Sequence, residues 1–129
     1  MAELISYQLE FLVNTTPKVL YSRLSSPAGL AEWFADDVNV RGDIYTFFWE
    51  DVEEKARVIS RKENVFIRFA WLTADDENAF TEFRIQAEDL TGELSLVITD
   101  FSEEDDQTDS IELWGKQVSD LKHALGLLS

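Results

Sequence analysis

The last quarter of the chain carries the pattern that most constrains the fold. Its apolar residues recur at steps of three and four, so a helix would place all of them on one face. These residues are Ile111, Trp114, Val118, Leu121, Leu125 and Leu128. The acidic residues at 103–106 suit the positive end of a helix dipole, and Lys122 suits the negative end. The pattern predicts one amphipathic helix over 103–128, which needs a sheet to cover its apolar face.

Strand-like segments fill most of the chain before this helix. In the first of them Ile5, Tyr7 and Leu9 alternate with polar residues, which is typical of a half-buried strand. The later segments are rich in β-branched and aromatic residues and are joined by short turns, which indicates an antiparallel meander. The predicted strands span residues 4–13, 37–41, 44–49, 55–60, 65–72, 80–88 and 93–101.

Two short helices are predicted between the first and second strands. Thr16 can cap the first helix, because Pro17 then takes the first helical position. Ser26 and Pro27 repeat this arrangement at the start of the second helix. The apolar side of the second helix is predicted to consist of Leu30, Trp33 and Phe34.

The order of these elements, β-α-α-β-β-β-β-β-β-α, defines the fold class. It is typical of an α+β architecture in which helices cover one face of a seven-stranded antiparallel sheet. Because such a sheet twists, it is expected to curve around the long C-terminal helix. A length of 129 residues suits one domain, so we predict a single domain over 1–129.

The composition excludes several classes of protein. The formal net charge of -15 repels nucleic-acid phosphates, so no nucleic-acid partner is expected. No apolar run of about 18 residues occurs, so no membrane span is expected. Residues 1–4 do not resemble the start of a signal peptide, and we expect a cytoplasmic location. The absence of cysteine excludes disulfides and thiolate metal sites.

No set of residues predicts catalysis, a metal site or a cofactor. The single histidine, His123, is typical of a surface residue that pairs with a helix dipole. Neither a glycine-flanked nucleophile nor a phosphate-binding loop is present. Glu82, Arg84 and Arg68 leave two interpretations open, which are ion pairs on the solvent face of the sheet or polar anchors on its concave face. We favour the solvent face, because apolar residues of the same strand occupy the other side.

Four segments of the chain together resemble a known family. They are the TTPKVL run at 15–20, the LSSP run at 24–27 with LAEWF at 30–34, the VRGD turn at 40–43, and the last helix with Trp114, Val118 and Leu121. Their order resembles the START-like superfamily, also called SRPBCC or the helix-grip fold. The most similar group is the one named after the activator of the heat-shock ATPase. The turn at 40–43 has one glycine where members of that group often have two.

The resemblance implies a cavity between the sheet and the last helix, which in many members binds an apolar small molecule. Members range from lipid carriers to cyclases and chaperone cofactors, so the fold alone does not fix the function. The aromatic residues either pack the core or line the cavity, and these roles overlap. Gly115 is expected to make room for a neighbour or a ligand. The residues expected to contact the ligand are Trp33, Phe34, Phe47, Trp49, Phe69, Trp71, Phe83, Trp114, Val118 and Leu121.

Acidic turns are predicted to gather at one end of the meander, because alternate turns lie at the same end of an antiparallel sheet. The segments concerned are 50–54, 73–78 and 101–106, and we call them the acidic pole. One interpretation is that these charges keep the strand edges soluble. The other is a rim that attracts a cation or a basic partner.

Three functions are compatible with this sequence. The leading hypothesis is non-catalytic binding of an apolar small molecule, lipid-like or aromatic, in the cavity. The second is a protein-interaction or chaperone-linked module that uses the acidic pole or the outer face of the sheet. The third is a cyclase or hydrolase, which requires at least two polar groups in the cavity, such as an inward-facing pair of Arg68 and Glu82. Under any of the three functions the chain is expected to be a monomer or a homodimer.

Overall fold

The computed structural model describes residues 3–74 and 78–127. Its elements follow the predicted order. They are β1 (Leu4–Leu12), α1 (Pro17–Ser25), α2 (Pro27–Leu30), β2 (Asp37–Arg41), β3 (Ile44–Trp49), β4 (Val52–Lys62), β5 (Phe66–Trp71), β6 (Thr81–Ala87), β7 (Leu94–Glu103) and α3 (Gln107–Ala124). The predicted α+β class and the helix-grip arrangement are therefore confirmed.

The described strands form one antiparallel sheet in the order β1-β7-β6-β5-β4-β3-β2. The first strand pairs with the last, so that Tyr7 lies opposite Asp100 and Leu9 lies opposite Ile98. The register between β4 and β5 shifts between Val58 and Ser60. Such an irregularity increases the local bend of a strand, and the sheet curves toward α3.

Side-chain caps start the two short helices as predicted. The Thr16 hydroxyl accepts a hydrogen bond from the Val19 amide, and the Ser26 hydroxyl accepts one from the Gly29 amide. The second helix is shorter than predicted, because α2 ends at Leu30 and residues 31–34 form a turn. Within this turn the amide of Phe34 donates to the carbonyl of Leu30, which still directs the Phe34 side chain into the core.

Two of the boundaries that differ from the predictions lie in acidic segments. The charged turn expected at 50–54 is shorter, because β4 begins at Val52, which pairs with Trp49. The C-terminal helix was expected from residue 103, whereas β7 continues to Glu103 and one 3-10 turn, Glu104–Asp106, precedes α3. In both places, backbone pairing with a neighbouring strand outweighs the turn preference of acidic side chains.

The helix α3 lies with its predicted apolar face toward the sheet. Trp114, Val118 and Leu121 are buried, and Leu125 packs against the core. Ile111, near the start of the helix, keeps 38% of its surface exposed, and Leu128 lies outside the described residues. Among the described residues, no helix has the length and apolar character that crossing a membrane requires.

The core fills the space between the sheet, α3 and the segment that contains α1 and α2. Alternation along each strand directs one set of side chains inward. The largest side chains that are fully buried include Phe47, Phe69, Phe83, Ile67, Leu96 and Ile98. Phe34 enters this core from the turn after α2 and forms a ring pair with Phe47 at 5.1 Å and with Phe83 at 5.7 Å between centroids. The aromatic core is therefore continuous from the sheet to the helices.

Candidate ligand cavity

A cavity of about 1180 Å³ lies between one end of the sheet and the first half of α3. Ends of β1, β3, β4, β5, β6 and β7 contribute to it, and so does the turn after α2. Its aromatic lining residues are Phe34, Trp49, Trp71, Phe80, Phe101 and Trp114. This volume is slightly above the range of about 300–1,000 Å³ that is typical of small-molecule pockets.

The cavity lies at the acidic pole. Glu54 and Glu103 line it together with Thr73, so that residues from all three predicted acidic segments border one space. Glu3, which precedes β1, adds another carboxylate to the lining. The predicted acidic residues Asp75, Asp76 and Glu77 lie outside the described residues. Among the described residues, neither lysine, arginine nor histidine lines the cavity.

The ten predicted contact residues divide into two groups. Phe34, Trp49, Trp71 and Trp114 line the cavity. The other six lie in the closed core, where they are at most 5% exposed, and these are Trp33, Phe47, Phe69, Phe83, Val118 and Leu121. The first group borders the cavity, and the second group lies in the core behind it.

Hydrogen bonds fix the orientation of the tryptophan rings. The indole N–H of Trp49 donates to the Phe34 carbonyl at 2.8 Å, and the side-chain amide of Gln117 donates to the same oxygen at 3.0 Å. The Trp71 indole donates to the Thr81 hydroxyl at 2.8 Å, and the Trp114 indole donates to Asp100 at 3.0 Å. Because protein acceptors already occupy these N–H groups, the rings present their carbon surfaces to the cavity.

Asp100 is the central polar residue of the cavity. Its Oδ1 accepts a hydrogen bond from the Thr81 hydroxyl at 2.8 Å. Its Oδ2 accepts from the Trp114 indole at 3.0 Å and, more weakly, from the Tyr7 hydroxyl at 3.4 Å. All three donors are neutral groups. Burial raises the pKa of Asp100, and the hydrogen bonds from these donors and from the Phe101 amide oppose part of the rise.

The prediction from sequence missed Asp100 and Thr81, although strand alternation contains the signal. In the predicted strand 93–101, Leu94, Leu96 and Ile98 alternate onto one face, and the next residue in that series is Asp100. Thr81 likewise precedes Phe83 and Ile85 on the inner face of β6. The polar character of these two residues concealed their position, since polar side chains usually face solvent.

A more deeply buried acid, Glu82, lies on the opposite face of the sheet. Its carboxylate accepts hydrogen bonds from Arg68 at 2.8 Å and from Arg84 at 3.1 Å. Burial alone would raise the pKa of Glu82, but the hydrogen bonds and charges of the two arginines lower it overall. Arg68 also lies over the Phe80 ring, with 4.0 Å from its guanidinium carbon to the centroid. The Arg68–Glu82 pair therefore does not supply the two polar groups that an enzyme would need in the cavity.

Two further residues that the sequence singled out lie away from the cavity. Gly115 has no atom within 4 Å of the position that a Cβ would take, so the expectation that it makes room for a neighbour is wrong. His123 is exposed in the last turn of α3. Among the described residues, no group of three or more histidine, aspartate or glutamate side chains is arranged to hold a metal ion.

Asp100 and Glu82 should give stability profiles of opposite slope. The raised pKa of Asp100 means that the folded state binds this proton more tightly than the unfolded chain, whose pKa is near 3.8. The stability that it contributes is present below pH 3.8 and is lost as the pH rises through the folded-state pKa. We expect the free energy of urea unfolding of the wild type, minus that of Asp100→Asn, to fall over this interval.

Glu82→Gln is the matched control for this pH dependence. The lowered pKa of Glu82 gives stability that is present above the ordinary value of 4.5 and is lost as the pH falls through the folded-state pKa. The free energy of unfolding of the wild type, minus that of Glu82→Gln, should therefore rise with pH. Profiles of the same slope for both variants would contradict the assignment of different environments to the two acids.

Comparisons with known proteins agree with this geometry. A family model described as a START-like superfamily domain matches residues 1–127. The chain belongs to the START-like superfamily. The predicted resemblance is thereby confirmed. The solution NMR structure of BfR322 from Bacteroides fragilis is 37% identical to this START-like chain, with 100% of this chain and 96% of that chain covered and a TM-score of 0.68.

Two other solved structures have the same fold at lower identity. The solution structure of the Aha1 dimer from Colwellia psychrerythraea is 15% identical over 94% of this chain and 96% of that chain, with a TM-score of 0.80. The solution structure of ChR145 from Cytophaga hutchinsonii is 15% identical over 98% of this chain and 96% of that chain, with a TM-score of 0.73. No curated protein sequence matches the chain significantly. The similarities to the Aha1 dimer and to ChR145 concern the fold alone.

Proposed function

We propose that this START-like chain binds an apolar small molecule, lipid-like or aromatic, without catalysing a reaction on it. The observation that carries the proposal is the cavity of about 1180 Å³ between the sheet and α3. The rings of Trp49, Trp71 and Trp114 line it, and their polar N–H groups are directed to protein acceptors. Burial of an apolar ligand against such surfaces is favourable by about 25 cal/mol for each Å² removed from water.

The ligand contacts belong to the same proposal. The sequence-predicted residues Phe34, Trp49, Trp71 and Trp114 are proposed to touch the ligand directly. The six buried residues behind them are proposed to set the position of these rings, because they pack against the rings or against neighbouring core residues. For example, Phe83 lies 5.8 Å from Trp114 and 5.7 Å from Phe34 between ring centroids.

Native mass spectrometry of gently purified protein is the first test, followed by denaturation and analysis of the released small molecules. A defined apolar compound at one copy per chain is the expected result. If the natural ligand is lost during purification, the empty cavity should bind the neutral probe N-phenylnaphthylamine. A change in tryptophan fluorescence should report this binding. A chain that carries no apolar compound and does not bind the probe would contradict the proposal.

A cavity-filling variant locates the binding site. Ser110 lies on α3 and lines the cavity, so Ser110→Phe should weaken binding of N-phenylnaphthylamine by about tenfold or more, which corresponds to about 1.4 kcal/mol. Ser119 lies on the same helix, is also partly buried and is not among the lining residues. Ser119→Phe is therefore the matched control and should leave the affinity unchanged. Equal affinities for the two variants would place the probe elsewhere.

Protein interaction is the second candidate function. Its specific support is the exposed run from Glu103 to Asp106, where the last residue of β7 and the turn after it supply four consecutive acidic residues. A basic partner surface would complement this charge. The native mass spectrum distinguishes the candidates, because co-purifying polypeptides or a second copy of this chain, without a small molecule, would favour the interaction module over the ligand carrier.

A further inference from the structure

Two acids of the sheet, the buried Glu82 and the partly buried Asp100, differ in how their charge is balanced. Glu82, on the outer face, has two guanidinium groups within 3.1 Å. Asp100, on the inner face, accepts hydrogen bonds only from neutral groups among its described partners, which are Thr81, Trp114, Tyr7 and the Phe101 amide. The negative charge of Asp100 is therefore shared by hydrogen bonds and is not neutralised by a cation of the described chain.

The remaining lining of the cavity has the same sign of charge. Glu3, Glu54 and Glu103 line the cavity together with Asp100, whereas no basic side chain of the described residues does. A cavity with low-dielectric walls concentrates the field of such carboxylates, because water screens them less than it screens charges on an open surface. An anionic ligand would be repelled, and a neutral ligand would leave the charge of Asp100 uncompensated.

The aromatic residues of the lining favour the same sign of ligand. Trp49, Trp71 and Trp114 already donate their indole N–H groups to protein acceptors. What these rings can offer a ligand is their electron-rich face, which attracts a cation within about 6 Å of the ring centroid. Electron-rich rings and unneutralised carboxylates thus border one cavity of about 1180 Å³.

We propose that the ligand of this cavity is an organic cation, an apolar molecule with one ammonium group that is held near Asp100 and the tryptophan rings. This inference rests on the proposed function and specifies its ligand class. The cation would supply the counter-charge that Asp100 lacks, as the two arginines do for Glu82. The apolar part of the molecule would occupy the rest of the aromatic lining.

Three probes with the same naphthyl body test the inference by isothermal titration calorimetry. They are naphthylethyl-trimethylammonium, its neutral isostere with a tert-butyl group, and naphthylpropionate. The wild-type protein at neutral pH should bind the ammonium probe about tenfold or more tighter than the neutral isostere, and naphthylpropionate most weakly. A quaternary ammonium keeps its charge at every pH, so any pH dependence of its binding reflects titration of groups in the protein.

Variants identify the group responsible. Asp100→Asn preserves the shape and removes the charge, and it should lower the affinity for the ammonium probe about tenfold while leaving that for the neutral isostere unchanged. Asp89→Asn removes the same charge from an exposed turn outside the cavity and should change neither affinity. Glu54→Gln, at the rim, is a second cavity variant, in which a smaller loss for the ammonium probe is expected even if Asp100→Asn does not fold.

The outcomes separate the failure of this inference from that of the proposed function. Equal affinities of the wild type for the ammonium probe and the neutral isostere would overturn the cation inference and leave apolar binding in place. Tightest binding of naphthylpropionate would overturn it as well. If the wild type binds neither the ammonium probe nor the neutral isostere, and N-phenylnaphthylamine also fails to bind, the proposed function itself is contradicted.

Discussion

Replacing Phe34 with alanine is expected to lower the free energy of unfolding by about 3–5 kcal/mol. Phe34 is only 5% exposed and is the point where several core rings meet. Its ring stacks on Trp114 at 5.7 Å with an interplanar angle of 9°. The rings of Trp33, Phe47, Trp49, Trp71 and Phe83 also lie within 6.4 Å between centroids. Alanine would leave an empty space that these large rings cannot close.

Urea unfolding followed by far-UV circular dichroism measures this effect. Leu113→Ala is the control on α3, because Leu113 also borders the cavity but is 56% exposed, and it should cost less than about 1 kcal/mol. Phe34→Leu keeps most of the apolar volume and should give an intermediate loss. If Phe34→Ala costs no more than Leu113→Ala, Phe34 does not hold the aromatic core together.

The sequence predicts this fold well because most of its signals are local. Alternation in β1, the caps Thr16 and Ser26, and the spacing of Trp114, Val118 and Leu121 all depend on neighbours within a few residues. The errors occur where a distant partner decides. Val52 was placed in a turn because of the acidic residues around it, whereas its strand is set by pairing with Trp49 and β3.

The candidate site could be predicted only in part, for the same physical reason. Aromatic residues at inward-facing positions are recognisable from period and propensity, and four of the ten predicted contacts line the cavity. Whether a ring such as Phe47 fills the core or borders a cavity depends on side chains from α2 and α3 that reach the same space. The polar environment of Asp100 depends on hydrogen bonds from Trp114 and Tyr7. Tyr7 is 93 positions away in sequence.

The close packing of the two short helices gives the second large expected effect. Gly29→Ala should lower the free energy of unfolding by about 2–3 kcal/mol, because a Cβ would lie 2.7 Å from the Cα of Arg23 and closer still to the carbonyl oxygen of Ser22. These are backbone atoms, so α1 and α2 would have to move apart. The same junction positions Trp33, whose indole donates to the Arg23 carbonyl at 2.8 Å. Urea unfolding measures the loss, and ligand titration should show weaker binding, since Trp33 supports Phe34 at 5.5 Å.

Gly115→Ala is the matched control, because it makes the same chemical change in a helix where a Cβ meets open space. Alanine is a better helix former than glycine by about 1 kcal/mol, so this variant should be more stable than the wild type by about 0.5–1 kcal/mol. The opposite signs of the change in unfolding free energy for Gly29→Ala and Gly115→Ala distinguish steric crowding from helix propensity. If both substitutions stabilise the protein, the α1–α2 junction has room for a side chain, and close backbone approach is not the reason for glycine at position 29. If both destabilise it, the surface of α3 at Gly115 is in contact with something other than solvent.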